Sequence, residues 1–143
     1  MEGITKTVDG VKVLDNVSFI ANKGDKIALV GENEAGQTAL FKILTGEMEP
    51  DAGSFKWGVS TSQSYFPQDN SAFFEGFDED LICWLRQYSE DTTETYLRGF
   101  LGRMLFSGDE VYKPAKVLSG GEKVRCMLSR MMMTHANVLL LDQ

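Results

Sequence analysis

The stretch IALVGENEAGQTALFKILTG, residues 27 to 46, constrains the fold more than any other part of the chain. An apolar run, Ile27 to Val30, ends at Gly31, a polar loop follows, and Leu40, Ile43 and Leu44 then recur at helical spacing until Gly46. That order predicts a buried strand, a loop and a helix that stops at Gly46. A short strand with no polar alternation must be covered on both faces, which points to an α/β layering.

The loop Gly31-Glu32-Asn33-Glu34-Ala35-Gly36-Gln37-Thr38 fits G-x-x-x-x-G-x-[ST] in the required strand–loop–helix context. Successive backbone N–H groups and a helix N-terminus together make an anion site. Gly31, Asn33, Gly36, Gln37, Thr38 and Ala39 are its candidate phosphate contacts, and the Thr38 hydroxyl stands where Mg²⁺ would be held. Gln37 occupies the position of the motif's lysine, which removes a charge-assisted contact worth about 1.5–3 kcal/mol. Glu34 adds a carboxylate and a Cβ where glycine would let the backbone approach phosphate. On the loop alone, a strand–turn–helix connection without a ligand remains an equal reading.

The rest of the chain continues the α/β pattern. Val11 and Val13, then Val17 and Phe19, alternate as short strands before a turn at Lys23-Gly24-Asp25. EPDAGSFKWG reads as a turn into another strand, with Pro50 presetting φ and Gly53 tolerating the left-handed region, and SQSYFPQD completes the strand-rich part. From Asp78 the period becomes helical: Leu81, Trp84, Leu85 and Tyr88, then Leu97, Leu101, Met104 and Leu105. Residues 108–123, GDEVYKPAKVLSGGEK, read as a loop broken by Pro114, with a helix from about Gly120 to Met133 and the strand NVLLLD, apolar on both faces.

Charge and composition narrow the function. Net charge is −7, and between Asp69 and Glu94 eight acids face one base, Arg86, a segment that repels nucleic acid. Lys113, Lys116, Lys123, Arg125 and Arg130 flank the last helix as scattered bases, a weak RNA signal that ordinary solvated side chains explain as well. Cys83 and Cys126 sit in apolar helical patterns without a CxxC spacing, as buried thiols in a reducing compartment do, and the lone His135 has no companion ligand. No apolar run approaches membrane-spanning length, so no membrane insertion is expected.

Three further segments stand in a telling order. LSGGE, Leu118 to Glu122, opens the last helix with glycines that leave its N-terminal donors unobstructed. NVLLLDQ runs into Asp142, an acid suited to holding Mg²⁺ through water. Gln68, in YFPQD, is a neutral amide at a strand end, able to sense metal or attacking water. Singly, these would be a helix start, a strand-end cap and a surface glutamine. In this order the chain resembles an ATP-binding-cassette (ABC) nucleotide-binding domain, with Walker A at 31–38, the Q-loop at Gln68, the signature at 118–122 and Walker B at 138–142. The texture of DGVKVLDNVSF, GEMEPDAGSFKWG and LGRMLFSGDEVYKPAKVLSGGEKVR is similar to the soluble ABC-F proteins, and most like a second cassette of one.

The resemblance implies an α/β P-loop NTPase core of the ABC type, with an antiparallel β subdomain and Walker A core at 1–68, a helical insertion at 69–114, and the signature helix and Walker B strand at 115–143. The family's later core strands and switch histidine have no counterpart, so the domain is expected to be incomplete at its C-terminus. It also implies ATP and Mg²⁺ as ligands, a cytoplasmic setting, and a second cassette, in the same polypeptide or a dimer mate, as partner. That mate would receive Ser119, Gly120, Gly121 and Glu122 on its γ-phosphate. Family members act on the ribosome as translation factors or antibiotic-resistance protection proteins, with RNA contacts expected outside this chain.

Besides Gln37 and Glu34, two further positions depart from the family. Val8 stands where an aromatic residue stacks on adenine, forfeiting about 0.5–1.5 kcal/mol. Gln143 replaces the glutamate that polarises the attacking water, and a positioned base contributes about 10²–10⁴-fold. Hydrolysis at this chain's own site is therefore expected to be very slow. Alternatives are a working ATPase with a substitute cation, for which Lys42 is poorly placed, a transporter subunit docking through the Trp84 insertion, and a non-hydrolysing structural or regulatory cassette using Met127, Met131, Met132 and Met133 as an adaptable surface.

Overall fold

A computed structural model describes residues 1–142. The chain begins with a hairpin: β1 (Glu2–Val8) and β2 (Val11–Val17) pair antiparallel. Asp9 and Gly10 between them both have positive φ, 50° and 79°. That is the two-residue turn whose twist matches the flanking strands, and Val-Asp-Gly-Val is a hairpin signal that the sequence reading passed over. β3 (Ala52–Ser54) joins the free edge of β1, giving the order β2-β1-β3. Gly53 sits at φ 88°, and a Cβ there would stand 2.4 Å from the Gly3 carbonyl. Both the left-handed backbone and the close approach require glycine.

Helix α1 (Glu34–Thr45) lies on this sheet. Gly46 ends it as expected, at φ 79°, its N–H reaching the Lys42 and Ile43 carbonyls. Leu40 and Ile43 bury the expected stripe, together with Ala39, against Ile4 and Leu14. Contact is close because Gly36 faces β2: a Cβ there would come within 2.6 Å of the Val13 carbonyl oxygen.

The expected buried strand at 27–30 does not form. Ile27 is 51% and Val30 94% exposed, and no ladder partner runs beside them among the described residues. An apolar run encodes a demand for burial, but a strand exists only when neighbours supply its hydrogen bonds.

The second core is helical. α2 (Leu81–Arg86), α3 (Glu94–Arg103) and α4 (Gly120–Met133) enclose Trp84, which is fully buried. Its ring stacks on Phe74 at 4.9 Å and its indole N–H donates to the Phe73 carbonyl at 2.7 Å. Met127 and Met133 fill this core from α4 and Met131 is also buried, so of the four methionines only Met132 is exposed. Leu105 departs from its predicted helical stripe: α3 ends at Arg103, and Leu105 turns out at φ 65°, 76% exposed. The segment 108–123 is more ordered than a loop, with short 3₁₀ turns at Gly108–Tyr112 and Ala115–Val117 on either side of Pro114 and α4 already begun at Gly120.

β4 (Gln63–Phe66) and β5 (Val138–Leu141) form a parallel pair in the register Gln63↔Val138 to Phe66↔Leu141. Parallel pairing is as expected, but β5 is covered on one face only: Leu140 is buried, whereas Leu139 and Leu141 stay more than half exposed. Among the described residues no helix is long and apolar enough to cross a membrane.

Candidate functional site

In the loop, Asn33 caps α1, its Oδ1 accepting from the Ala35 N–H at 2.9 Å, while the Gly36 N–H donates to the Asn33 carbonyl at 3.1 Å. Helix therefore begins at Glu34, inside the motif, and the first amides of the nest are satisfied locally rather than left open to an anion. Gln37 turns its amide back to donate to the Leu29 carbonyl at 3.2 Å. No cation enters at that position. Gly31 stays open, Thr38 is half-buried in the first turns of α1, and the Ala39 side chain belongs to the core, so only its backbone faces the loop.

The signature is built as a helix start. Ser119 caps α4 in a reciprocal box: the Ser119 N–H donates to Glu122 Oε2 at 2.8 Å, and the Glu122 N–H to Ser119 Oγ at 3.4 Å. Lys113 holds the other Glu122 oxygen at 2.9 Å. The Lys113 ammonium, then the Ser119 N–H, pull the Glu122 carboxyl down to about 2. Gly120 and Gly121 are exposed, and a Cβ on either would meet nothing within 4 Å. The helix N-terminus thus presents an unobstructed backbone.

Asp142 is 5% exposed at the end of β5. Its N–H donates to the Phe66 carbonyl at 2.9 Å, and its Oδ2 accepts from the Tyr65 hydroxyl at 3.0 Å. Sequence reasoning missed Tyr65; the one available signal was its place three residues before Gln68 in a strand parallel to the Asp142 strand. Burial, then the Asp142 carboxylate, push the Tyr65 hydroxyl well above the usual tyrosine range. Gln68 is exposed beyond the end of β4, and Val8 is half-buried at the end of β1. Gln143 lies outside the described residues.

Asp142 and Thr38 carry the hard oxygen donors that Mg²⁺ takes, and an ion arriving with phosphate would keep most of its waters. Among the described residues no group of three or more His, Cys, Asp or Glu forms a dedicated cage. The geometry brings Tyr65 to Asp142, and Lys113 and Ser119 to Glu122. A cleft of about 210 Å³ opens beside Tyr65, between the C-terminal ends of α1 and α4, lined also by Thr45, Glu47, Ser64, Arg130 and Thr134.

The scattered bases around α4 are spent within the chain. Lys113 pairs with Glu122 and Lys116 with Asp78. Lys123 lies over Phe74, Arg125 over Phe106, and Arg130 over Phe73 and Tyr88.

Comparison with known proteins places this geometry in context. The family described as ABC transporter matches residues 14–143. The chain is similar to the uncharacterized ABC transporter ATP-binding protein YkpA of Bacillus subtilis, at 68% identity over 100% of this chain and 27% of that protein. It is 38% identical to the probable ATP-binding protein YbiT of Escherichia coli O157:H7, again over 100% of this chain and 27% of the relative. It is 32% identical to the ATP-binding protein Uup-like of Haemophilus influenzae, over 100% of this chain and 32% of the relative. The chain therefore spans about a quarter to a third of the length of these relatives.

Proposed function

The chain belongs to the ATP-binding-cassette (ABC) family, with relatives of the Uup and YheS kind, the ABC-F-like branch, and from that premise we propose that it is an ATP-binding cassette whose own Walker site is degenerate and whose working surface is the LSGGE helix start, offered to a second cassette. The observation that carries this reading is the contrast between two helix N-termini. That of α1 is closed on itself by Asn33, with Gln37 turned to Leu29. That of α4 is rigidly capped by Ser119 and Glu122, with bare glycines facing outward. A helix start of the second kind supplies backbone donors to phosphate held by another chain.

ATP and Mg²⁺ are the ligands of this reading, with Thr38, Gln68 and Asp142 on the metal side and Gln143 where a base would stand. Without lysine and glutamate, this chain's own site binds weakly and hydrolyses very slowly. The ABC-F-like character supports a cytoplasmic protein acting in translation or ribosome protection. Its contact with RNA falls outside this chain, because the bases around α4 are engaged internally and residues 69–94 are acidic.

The test is a Ser119→Arg change in the full-length protein, read as ATP-dependent closure of the two cassettes by distance between labels. Closure is expected to be abolished; unaltered closure would overturn the proposal. Co-sedimentation with ribosomes checks the translational part, and absence of nucleotide-dependent binding would remove it.

A further inference from the structure

We propose that Tyr65 is a positioning residue for the metal side of this site, a brace that fixes Asp142 relative to the helix carrying Thr38. The inference rests on the reading of Asp142 and Thr38 given above and names the device that holds them in register.

A single side chain touches both elements. The Tyr65 hydroxyl donates to Asp142 Oδ2 at 3.0 Å, and Asp142 is almost wholly buried, so water competes poorly for that bond. Strand register sets the contact. Tyr65 pairs with Leu140, and Leu140 and Asp142 share a face because strand side chains alternate. On the other side, the Tyr65 ring lies 6.1 Å from the ring of Phe41 in α1. Phe41 follows Thr38 by three residues, so the two share one face of the helix. The line of contact is therefore Phe41–Tyr65–Asp142, with Thr38 one turn before Phe41 on the same helix.

A phenol suits this task chemically. Its hydroxyl is a neutral donor. It orients one carboxylate oxygen without cancelling the charge; the other oxygen would be left for a metal-bound water. A lysine at this place would orient the carboxylate but neutralise it. Outer-sphere magnesium contacts depend on such orientation, since the water between ion and carboxylate must point correctly.

The experiment uses the full-length protein with Gln37→Lys, so that the nucleotide is gripped, and measures ATP affinity with magnesium and with EDTA. The magnesium-dependent gain in affinity is the readout. Asp142→Asn is expected to abolish the gain. Tyr65→Phe, which keeps the ring and deletes the hydroxyl, is expected to reduce it about tenfold while leaving binding in EDTA unchanged. Phe41→Leu, which keeps the hydroxyl bond and removes the ring contact, is expected to reduce it by a smaller factor. A merely structural Tyr65 would lower both affinities together, or shift only the melting temperature, and either result overturns the brace. An unchanged gain in Phe41→Leu overturns the link to α1. If Asp142→Asn leaves the gain intact, or the background shows none, the metal-side reading fails and the brace with it.

Discussion

Gln37, Glu122 and Cys126 each carry an experiment at the scale of a single side chain. The Gln37 amide satisfies the Leu29 carbonyl, so its replacement by lysine removes one neutral hydrogen bond and supplies a cation at the phosphates. Gln37→Lys is expected to tighten MgATP binding by about one to two orders of magnitude, as a charge-assisted contact would; calorimetric titration of both proteins checks it, and equal affinities would mean that backbone donors suffice. Glu122 is held down to about 2 by Lys113 and Ser119, against an ordinary value of 4.5. A depressed carboxylate contributes stability that is present above about pH 4.5 and lost as pH falls toward 2. Melting temperature should therefore decline across that window in the native chain and decline less in Glu122→Gln. The Cys126 thiol, fully buried, is pushed up to about 12 by burial. It should resist alkylation at pH 8 until the chain unfolds, a point readable by mass spectrometry at increasing urea.

At the scale of elements, two glycines at helix starts make opposite predictions. Gly36 lies against β2, where an added Cβ meets the Val13 carbonyl oxygen at 2.6 Å. Gly36→Ala is expected to cost about 1–3 kcal/mol by forcing α1 off the sheet, seen as a lowered midpoint in urea. Gly120 has open space around its Cβ position. Gly120→Ala is expected to leave stability unchanged or raised by up to about 1 kcal/mol, yet to impede closure on a partner's ATP. Loss of closure with an intact fold would separate function from folding at the signature.

The same elements show what could be read in advance and why. α4 runs from Gly120 to Met133 as predicted, because Ser119, Glu122 and the buried positions Cys126, Met127 and Met131 all act within one helix. α1 stops at Gly46 for the same local reason. The strand at 27–30 failed because its hydrogen bonds need neighbours that local pattern cannot supply. Leu105 failed because α3 ends two residues earlier than its apolar period, and the chain reverses there with φ 65°. Tyr65 went unseen because its meaning lies in a residue 77 positions away.

On the scale of the whole chain, two cores stand side by side. One joins the β1–β2 hairpin to α1, and the other gathers the helical segment and α4 around Trp84. With Trp84 fully buried, the acidic segment is a solvated surface over its own core rather than an apolar docking face. Uncovered apolar side chains include Leu139 and Leu141 on β5, and Val124, Leu128 and Met132 on one side of α4. Such surface favours association, so Leu139→Glu combined with Met132→Glu is expected to raise the concentration at which the chain stays monodisperse by light scattering.

The limits of α4, the stop of α1 at Gly46 and the order of the four motifs follow from residues close together in the chain, where propensity, period and hydrogen-bonding chemistry operate over a few positions; these were legible without coordinates. Asn33 closing the loop, Gln37 finding Leu29, Lys113 holding Glu122 and Tyr65 reaching Asp142 depend on which groups the packing brings within about 3 Å of one another. Apart from the Asn33 cap, which is local and was simply overlooked, such contacts carry no local periodicity, so they entered only with the folded chain.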